Sequence, residues 1–110
     1  MTTRILIADD HESVLRRLKE LLRANPGWEI CGDAIDGKDV VTRATELRPD
    51  LIILDYAMPR LDGLSAAKEI HRLPPTVPIV LHTLYASIEL DLAASKYGIR
   101  KVVDKTKPAL

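Results

Sequence analysis

Five side chains carry the chemistry this sequence offers: the paired carboxylates Asp9 and Asp10, the carboxylate Asp55, the hydroxyl of Thr83 and the ammonium of Lys105. Each stands at the end of a short apolar run: Ile5-Leu-Ile-Ala8 leads into Asp9-Asp10, Leu51-Ile-Ile-Leu54 into Asp55, Pro78-Ile-Val-Leu-His into Thr83, and Lys101-Val-Val-Asp into Lys105. At an effective dielectric of about 20, two like charges about 4 Å apart repel by roughly 4 kcal/mol. Three gathered carboxylates therefore need a cation or must hold a proton. Lys105 supplies one charge. A hard divalent ion suits the acidic side, and Mg²⁺ is the expected cofactor, because it takes oxygen ligands, typically one or two carboxylates with water and phosphate. No His or Cys cluster points to zinc. A phosphoryl group between that ion and Lys105, with the Thr83 hydroxyl on one of its oxygens, has its charge neutralised from both sides. The chemistry implied is phosphoryl transfer to a carboxylate, with Asp55 as the nucleophile.

The elements that must position these groups alternate in strict order. Ile5–Ala8 reads as a buried strand, and Val14, Leu15, Leu18, Leu21 and Leu22 then recur at helical spacing until Asn25-Pro-Gly27 stops the helix. A second strand is expected from Trp28 to about Ala34, and Cys31 within it is expected to be a core residue. After the turn Asp36-Gly37, Val40, Val41, Ala44 and Leu47 mark a second helix that ends before Pro49. Leu51–Asp55 is the third strand, Leu64–Leu73 the third helix closed by Pro74-Pro75, and Pro78–Thr83 the fourth strand. A fourth helix is expected from Ser87 to Tyr97 through Ile88, Leu92 and Ala93, with Gly98 as its cap, before a fifth strand Lys101–Lys105. Strict alternation calls for a parallel sheet with helices on both faces, and the unbroken apolar run Leu51–Leu54 fits a strand covered on both sides. In such a sheet, sites form at the carboxyl ends of the strands, where all five polar groups fall.

Composition leaves room for one domain: 110 residues, 46% hydrophobic and 29% charged, with Lys plus Arg equal to Asp plus Glu at 16 each. No global basic field argues for nucleic acid or an anionic membrane. One cysteine excludes an internal disulfide, and Met1-Thr-Thr-Arg-Ile5 lacks the apolar run that a signal peptide needs, so a reducing cytoplasm is the expected compartment.

Over nearly its whole length the chain resembles the receiver domain of bacterial two-component response regulators. The resemblance is carried by Ile5-Leu-Ile-Ala-Asp-Asp10, by Leu54-Asp-Tyr-Ala-Met-Pro-Arg-Leu-Asp-Gly63, and by Thr83 and Lys105 in order. Ala8-Asp-Asp-His11 and Asp55-Tyr-Ala-Met-Pro59 are most similar to receivers of the LuxR/NarL type, which precede a helix-turn-helix DNA-binding domain. The resemblance implies an α/β, flavodoxin-like, doubly wound fold of five parallel strands in the order 2-1-3-4-5. It makes Asp55 the phosphoacceptor, fed by a sensor histidine kinase or phosphotransfer protein. Asp10, Asp55 and the main-chain carbonyl of Ala57 would ligate Mg²⁺, Asp9 would hold it through water, Thr83 would be the switch hydroxyl, and Lys105 would pair with the phosphoryl group. It also implies homodimers through the helix 4 and strand 5 face, kinase docking on helix one near Val14 and Leu15, and DNA contact only through an output domain outside this chain.

Departures from the family pattern shape further expectations. Val102 stands where regulators with an aromatic switch carry Tyr or Phe, which shifts the signal to Thr83 and the loop and helix after strand four. Ala57 and Tyr85 occupy the positions that tune dephosphorylation, and neither offers a carboxylate or amide to orient water, so a long-lived phosphoryl group is expected. Thr106-Lys-Pro-Ala-Leu110 is too short for the family's fifth helix; the expectation is a single receiver domain over 1–110 that is either cut short after strand five or has another surface over the apolar sheet face. Two rival functions remain. An aspartate-nucleophile phosphatase usually wants a second acid two residues after the nucleophile, where Ala57 stands, and a binding or dimerisation module would keep the fold without phosphoryl chemistry. Asp9 and Asp10 also suit a helix N-cap, and His11 beside them, weighed against a metal ligand or proton shuttle, reads as a partly exposed first-turn residue.

Overall fold

In the computed structural model, which describes residues 2–73, 76–83 and 87–105, the third strand lies at the centre of the sheet. Strands β1 (Thr3–Ala8), β2 (Trp28–Ala34), β3 (Leu51–Asp55), β4 (Ile79–Thr83) and β5 (Ile99–Asp104) are all parallel, in the order β2-β1-β3-β4-β5. Between them run α1 (Glu12–Arg23), α2 (Gly37–Leu47), α3 (Gly63–His71) and α4 (Ile88–Ser95). The expected strand order and alternation are observed. Tyr85 and Thr106–Leu110, to which expectations were attached, lie outside the described residues, as do Pro74 and Pro75.

Side chains of successive strand residues point to opposite faces, and the core divides accordingly. Leu6, Ala8, Ile52, Leu54 and Leu81 pack on one face with residues of α2, α3 and α4, while Ile5, Ile7 and Ile53 pack on the other against Leu15 and Leu22 of α1. Burying an aliphatic side chain is worth roughly 1.5–3 kcal/mol. Ile52, Ile53 and Leu54 together therefore outweigh the cost of carrying a carboxylate, Asp55, at the end of their strand.

Among the described residues the α1 face is only partly covered. An apolar groove of about 410 Å³ runs beside α1, lined by Leu18, Leu22, Leu51, Val80 and Val103 among others. His82 also lines it, and burial, then the Lys105 charge, hold its imidazole below the usual pKa.

Four sequence expectations change. Leu15 is buried against the sheet, so it is not an exposed docking contact; α1 meets the core through Leu15 and Leu22, while Leu21 is exposed. Helix α4 is shorter than expected and turned the other way: Leu90 and Ala94 are buried, whereas Ile88 and Leu92 are 75% and 66% exposed. Gly98, at φ +76, lies in the turn after the helix rather than at its cap. Cys31 is only partly buried, packed against the larger core cluster, and desolvation raises its thiol pKa.

The loop between β3 and α3 is tied down at several points. Met58 is buried in the core, Gly63 N–H donates to Tyr56 O at 2.6 Å, and Leu61 N–H donates to Pro59 O at 2.8 Å across Arg60, whose φ is +69°. Asp36, buried at the N-cap of α2, accepts from Asp39 N–H at 2.8 Å and pairs with Arg60 Nη1 at 3.3 Å. An ion pair to so exposed an arginine adds little, so the cap dominates. Asp36→Ala is expected to cost about 1–2 kcal/mol in urea unfolding, and Asp36→Asn to recover most of it.

Candidate functional site

Strands β1 and β3 are neighbours in register, Ala8 opposite Leu54, so the residues that follow, Asp9 and Asp55, emerge side by side at one rim. Asp9 stays in line with the sheet because its N–H donates to Ala34 O at 3.0 Å. Both carboxylates are buried, at 1% and 3% exposure. From β5, Lys105 reaches between them, its Nζ donating to Asp9 Oδ2 at 2.9 Å and to Asp55 Oδ1 at 2.7 Å. The main chain fastens the same corner: Lys105 N–H donates to Thr83 O at 2.8 Å, and Thr83 itself is buried at the end of β4.

One atom stands out. Asp55 Oδ2 is buried and, among the described residues, accepts no hydrogen bond, although Oδ1 is held by the lysine. Buried polar atoms are rarely left this way. A single ammonium shared by two buried carboxylates, with Asp10 nearby, leaves an excess of negative charge. Desolvation first, and then repulsion from Asp9, push the Asp55 pKa up against the pull of Lys105. Lys105 itself is held charged, its hydrogen bonds to Asp55 and Asp9 outweighing the desolvation that lowers its pKa. The sign follows by linkage. Asp55 ionises less readily in the folded chain than in the unfolded one, so this group's contribution to stability falls as pH rises through its elevated pKa, unless a cation arrives.

A hard cation fits this donor set. Asp9, Asp10, Asp55 and also His11 each offer a ligand atom, all within 4.8 Å of one another. The expected ligand Ala57 lies in the exposed loop directly after Tyr56, between β3 and the buried Met58. The structure thus brings Asp9, Asp10, Asp55 and Lys105 together and links Thr83 through the main chain. The capping alternative for the acidic pair is not observed: His11 is the N-cap of α1 and makes no side-chain cap bond, while Asp9 Oδ1 accepts from His11 N–H at 2.9 Å.

Sequence reasoning set one participant aside and missed another. The His11 ring, weighed as a metal ligand and passed over as a surface residue, lies against both aspartates, Nδ1 at 3.2 Å from Asp9 Oδ1 and 3.0 Å from Asp10 Oδ1. The contact between Arg60 and Asp36 joins residues 24 apart and left no local signal.

Comparison with known proteins agrees with this geometry. Residues 5–109 match the family model of the response regulator receiver domain. A protein-glutamate methylesterase/protein-glutamine glutaminase of Myxococcus xanthus is 40% identical over 103 residues, 93% of this chain and 29% of that protein. The response regulator protein VraR of Staphylococcus epidermidis is 33% identical over 109 residues, 99% of this chain and 52% of that protein. The chain therefore spans less than a third of that methylesterase and about half of VraR. Among solved structures, the response regulator domain of Thermotoga maritima CheB superposes with a TM-score of 0.90 at 27% identity, covering 100% of this chain and 83% of that one. A LuxR-family two-component response regulator from Aurantimonas gives 0.91 at 25%, covering 97% and 76%. With five strands in the order 2-1-3-4-5 and an acidic rim closed by a lysine, this chain belongs to the response regulator receiver domain family of two-component systems.

Proposed function

We propose that the chain is the phosphoacceptor of a His-to-Asp relay and takes a phosphoryl group on Asp55. The observation that carries this reading is Asp55 Oδ2, a buried carboxylate oxygen with no hydrogen-bond partner beside one fixed by Lys105. An Oδ2 lone pair forms the new O–P bond as the P–N bond to the donor histidine breaks, and that electron pair leaves with the imidazole. Lys105 is positioned to neutralise the transferred group, and the Thr83 hydroxyl to bind one of its oxygens. Asp10, Asp55 and the Ala57 carbonyl would hold Mg²⁺, with Asp9 behind a water. When bound, the ion offsets charge on the carboxylates and the phosphoryl oxygens.

The domain acts as a switch rather than as an enzyme on an outside substrate. Its donor is a sensor histidine kinase or phosphotransfer protein, and its compartment the cytoplasm. No helix among the described residues is long and apolar enough to cross a membrane. Transcription through an attached DNA-binding domain is one output. The 40% identity to a methylesterase favours a second, in which the receiver governs an attached enzyme. Ile88 and Leu92, exposed on α4, support a homodimer through the α4 and β5 face.

Incubation with Mg²⁺ and acetyl phosphate, followed by intact-mass measurement, is expected to add one phosphoryl group, with the adduct abolished in Asp55→Asn. No adduct in the wild-type chain, or an adduct that survives Asp55→Asn, would sink the reading.

A further inference from the structure

We propose that His11 is a ligand of the metal site and gives it a preference for imidazole-binding divalent ions such as Ni²⁺ over Mg²⁺, relative to a purely oxygen-lined site. The inference rests on the proposed metal site and concerns which ion fills it.

The argument begins with position. His11 follows Asp9 and Asp10 directly, and its N–H donates to Asp9 Oδ1 at 2.9 Å, which keeps its backbone against the acidic rim. Its ring turns inward: Nδ1 lies 3.2 Å from Asp9 Oδ1 and 3.0 Å from Asp10 Oδ1. Nδ1 is thus within hydrogen-bond reach of the carboxylates that would share an ion, and the ion would take the place of the proton that Nδ1 shares with them. One donor atom each from Asp9, Asp10, His11 and Asp55 falls within a 4.8 Å cluster. In an octahedron with bonds of about 2.1 Å, opposite donors are about 4.2 Å apart, so Asp10, His11 and Asp55 need close only by a fraction of an ångström to ligate directly, with Asp9 behind its water. The independent sign that a ligand belongs here is the partnerless oxygen of Asp55, on a residue only 3% exposed.

The His11 side chain is 65% exposed, so it can adjust without disturbing the core. Carboxylate, carbonyl and water ligands suit Mg²⁺, whereas imidazole favours later first-row ions along the series that rises from Mn²⁺ to Ni²⁺. One nitrogen among oxygens is therefore a selectivity device.

Two measurements on the full chain test this. Calorimetric titration with Mg²⁺, Mn²⁺ and Ni²⁺ is expected to show the Ni²⁺ preference over Mg²⁺ falling about tenfold in His11→Ala; an unchanged preference overturns the inference. Electron spin-echo spectra of bound Mn²⁺ are expected to show coupling to a histidine nitrogen that changes on ¹⁵N-histidine labelling and vanishes in His11→Ala. Mn²⁺ that binds without nitrogen coupling, or with coupling that persists in His11→Ala, overturns the inference and leaves the oxygen-lined site standing. Absence of binding by all three ions overturns the underlying metal site as well.

Discussion

Lys105→Ala is expected to destabilise the metal-free chain by about 3–5 kcal/mol, the usual cost of removing one partner from a buried ion pair. The lysine is only 13% exposed and serves two carboxylates at 2.9 and 2.7 Å, so its loss leaves Asp9 and Asp55 facing each other unneutralised. Mg²⁺ is expected to recover much of the loss, because it supplies positive charge to the same cluster. Adding Asp55→Asn is expected to do so without metal, by removing one of the two charges. Urea unfolding of the single and double variants, with and without Mg²⁺, measures both effects. A loss below about 1 kcal/mol, within the range of an exposed pair, would show that the site is far better solvated than its geometry indicates.

Gly63→Ala is expected to be at least as costly. A Cβ built at Gly63 meets the carbonyl oxygen of Asp55 at 2.2 Å and Tyr56 Cα at 2.8 Å, and these are backbone atoms at the end of the central strand. They cannot turn aside as a side chain can. The strand end or the start of α3 must move, and the 2.6 Å hydrogen bond from Gly63 N–H to Tyr56 O stands in the way. A loss of more than about 3 kcal/mol is expected, comparable to the larger core substitutions, together with weaker Mg²⁺ binding because the loop carrying Ala57 is displaced. Thermal unfolding and metal titration of Gly63→Ala check the two parts. A variant with native stability and native Mg²⁺ affinity would mean that the close approach does not constrain this loop.

The strand order and the acidic rim were legible because two independent signals coincide at each strand end. Leu51–Leu54 is apolar at every position, and the residue that breaks the run, Asp55, is the one the other charged groups approach. The face of α4 was not legible. Its eight residues carry apolar side chains all round, so Ile88 and Leu92 matched a helical stripe as well as Leu90 and Ala94 do, and tertiary packing chose the latter. Similar reasoning covers Leu15, which spacing correctly put on the core side and the family resemblance then offered as a docking contact. His11 was read by composition as surface. Its exposure bears that out, but exposure did not stop the ring from turning toward the aspartates. Arg60 adopts positive φ and reaches Asp36 across the sheet rim, which depends on a loop path no local pattern encodes.

The hydrogen bond from Lys105 N–H to Thr83 O makes the two strand tips a single mechanical joint. The cation and the hydroxyl belong to different strands, yet neither main chain can shift at the rim without dragging the other or breaking that bond. A pull on Thr83 is thereby converted into travel of the β5 terminus, the last described segment of the chain.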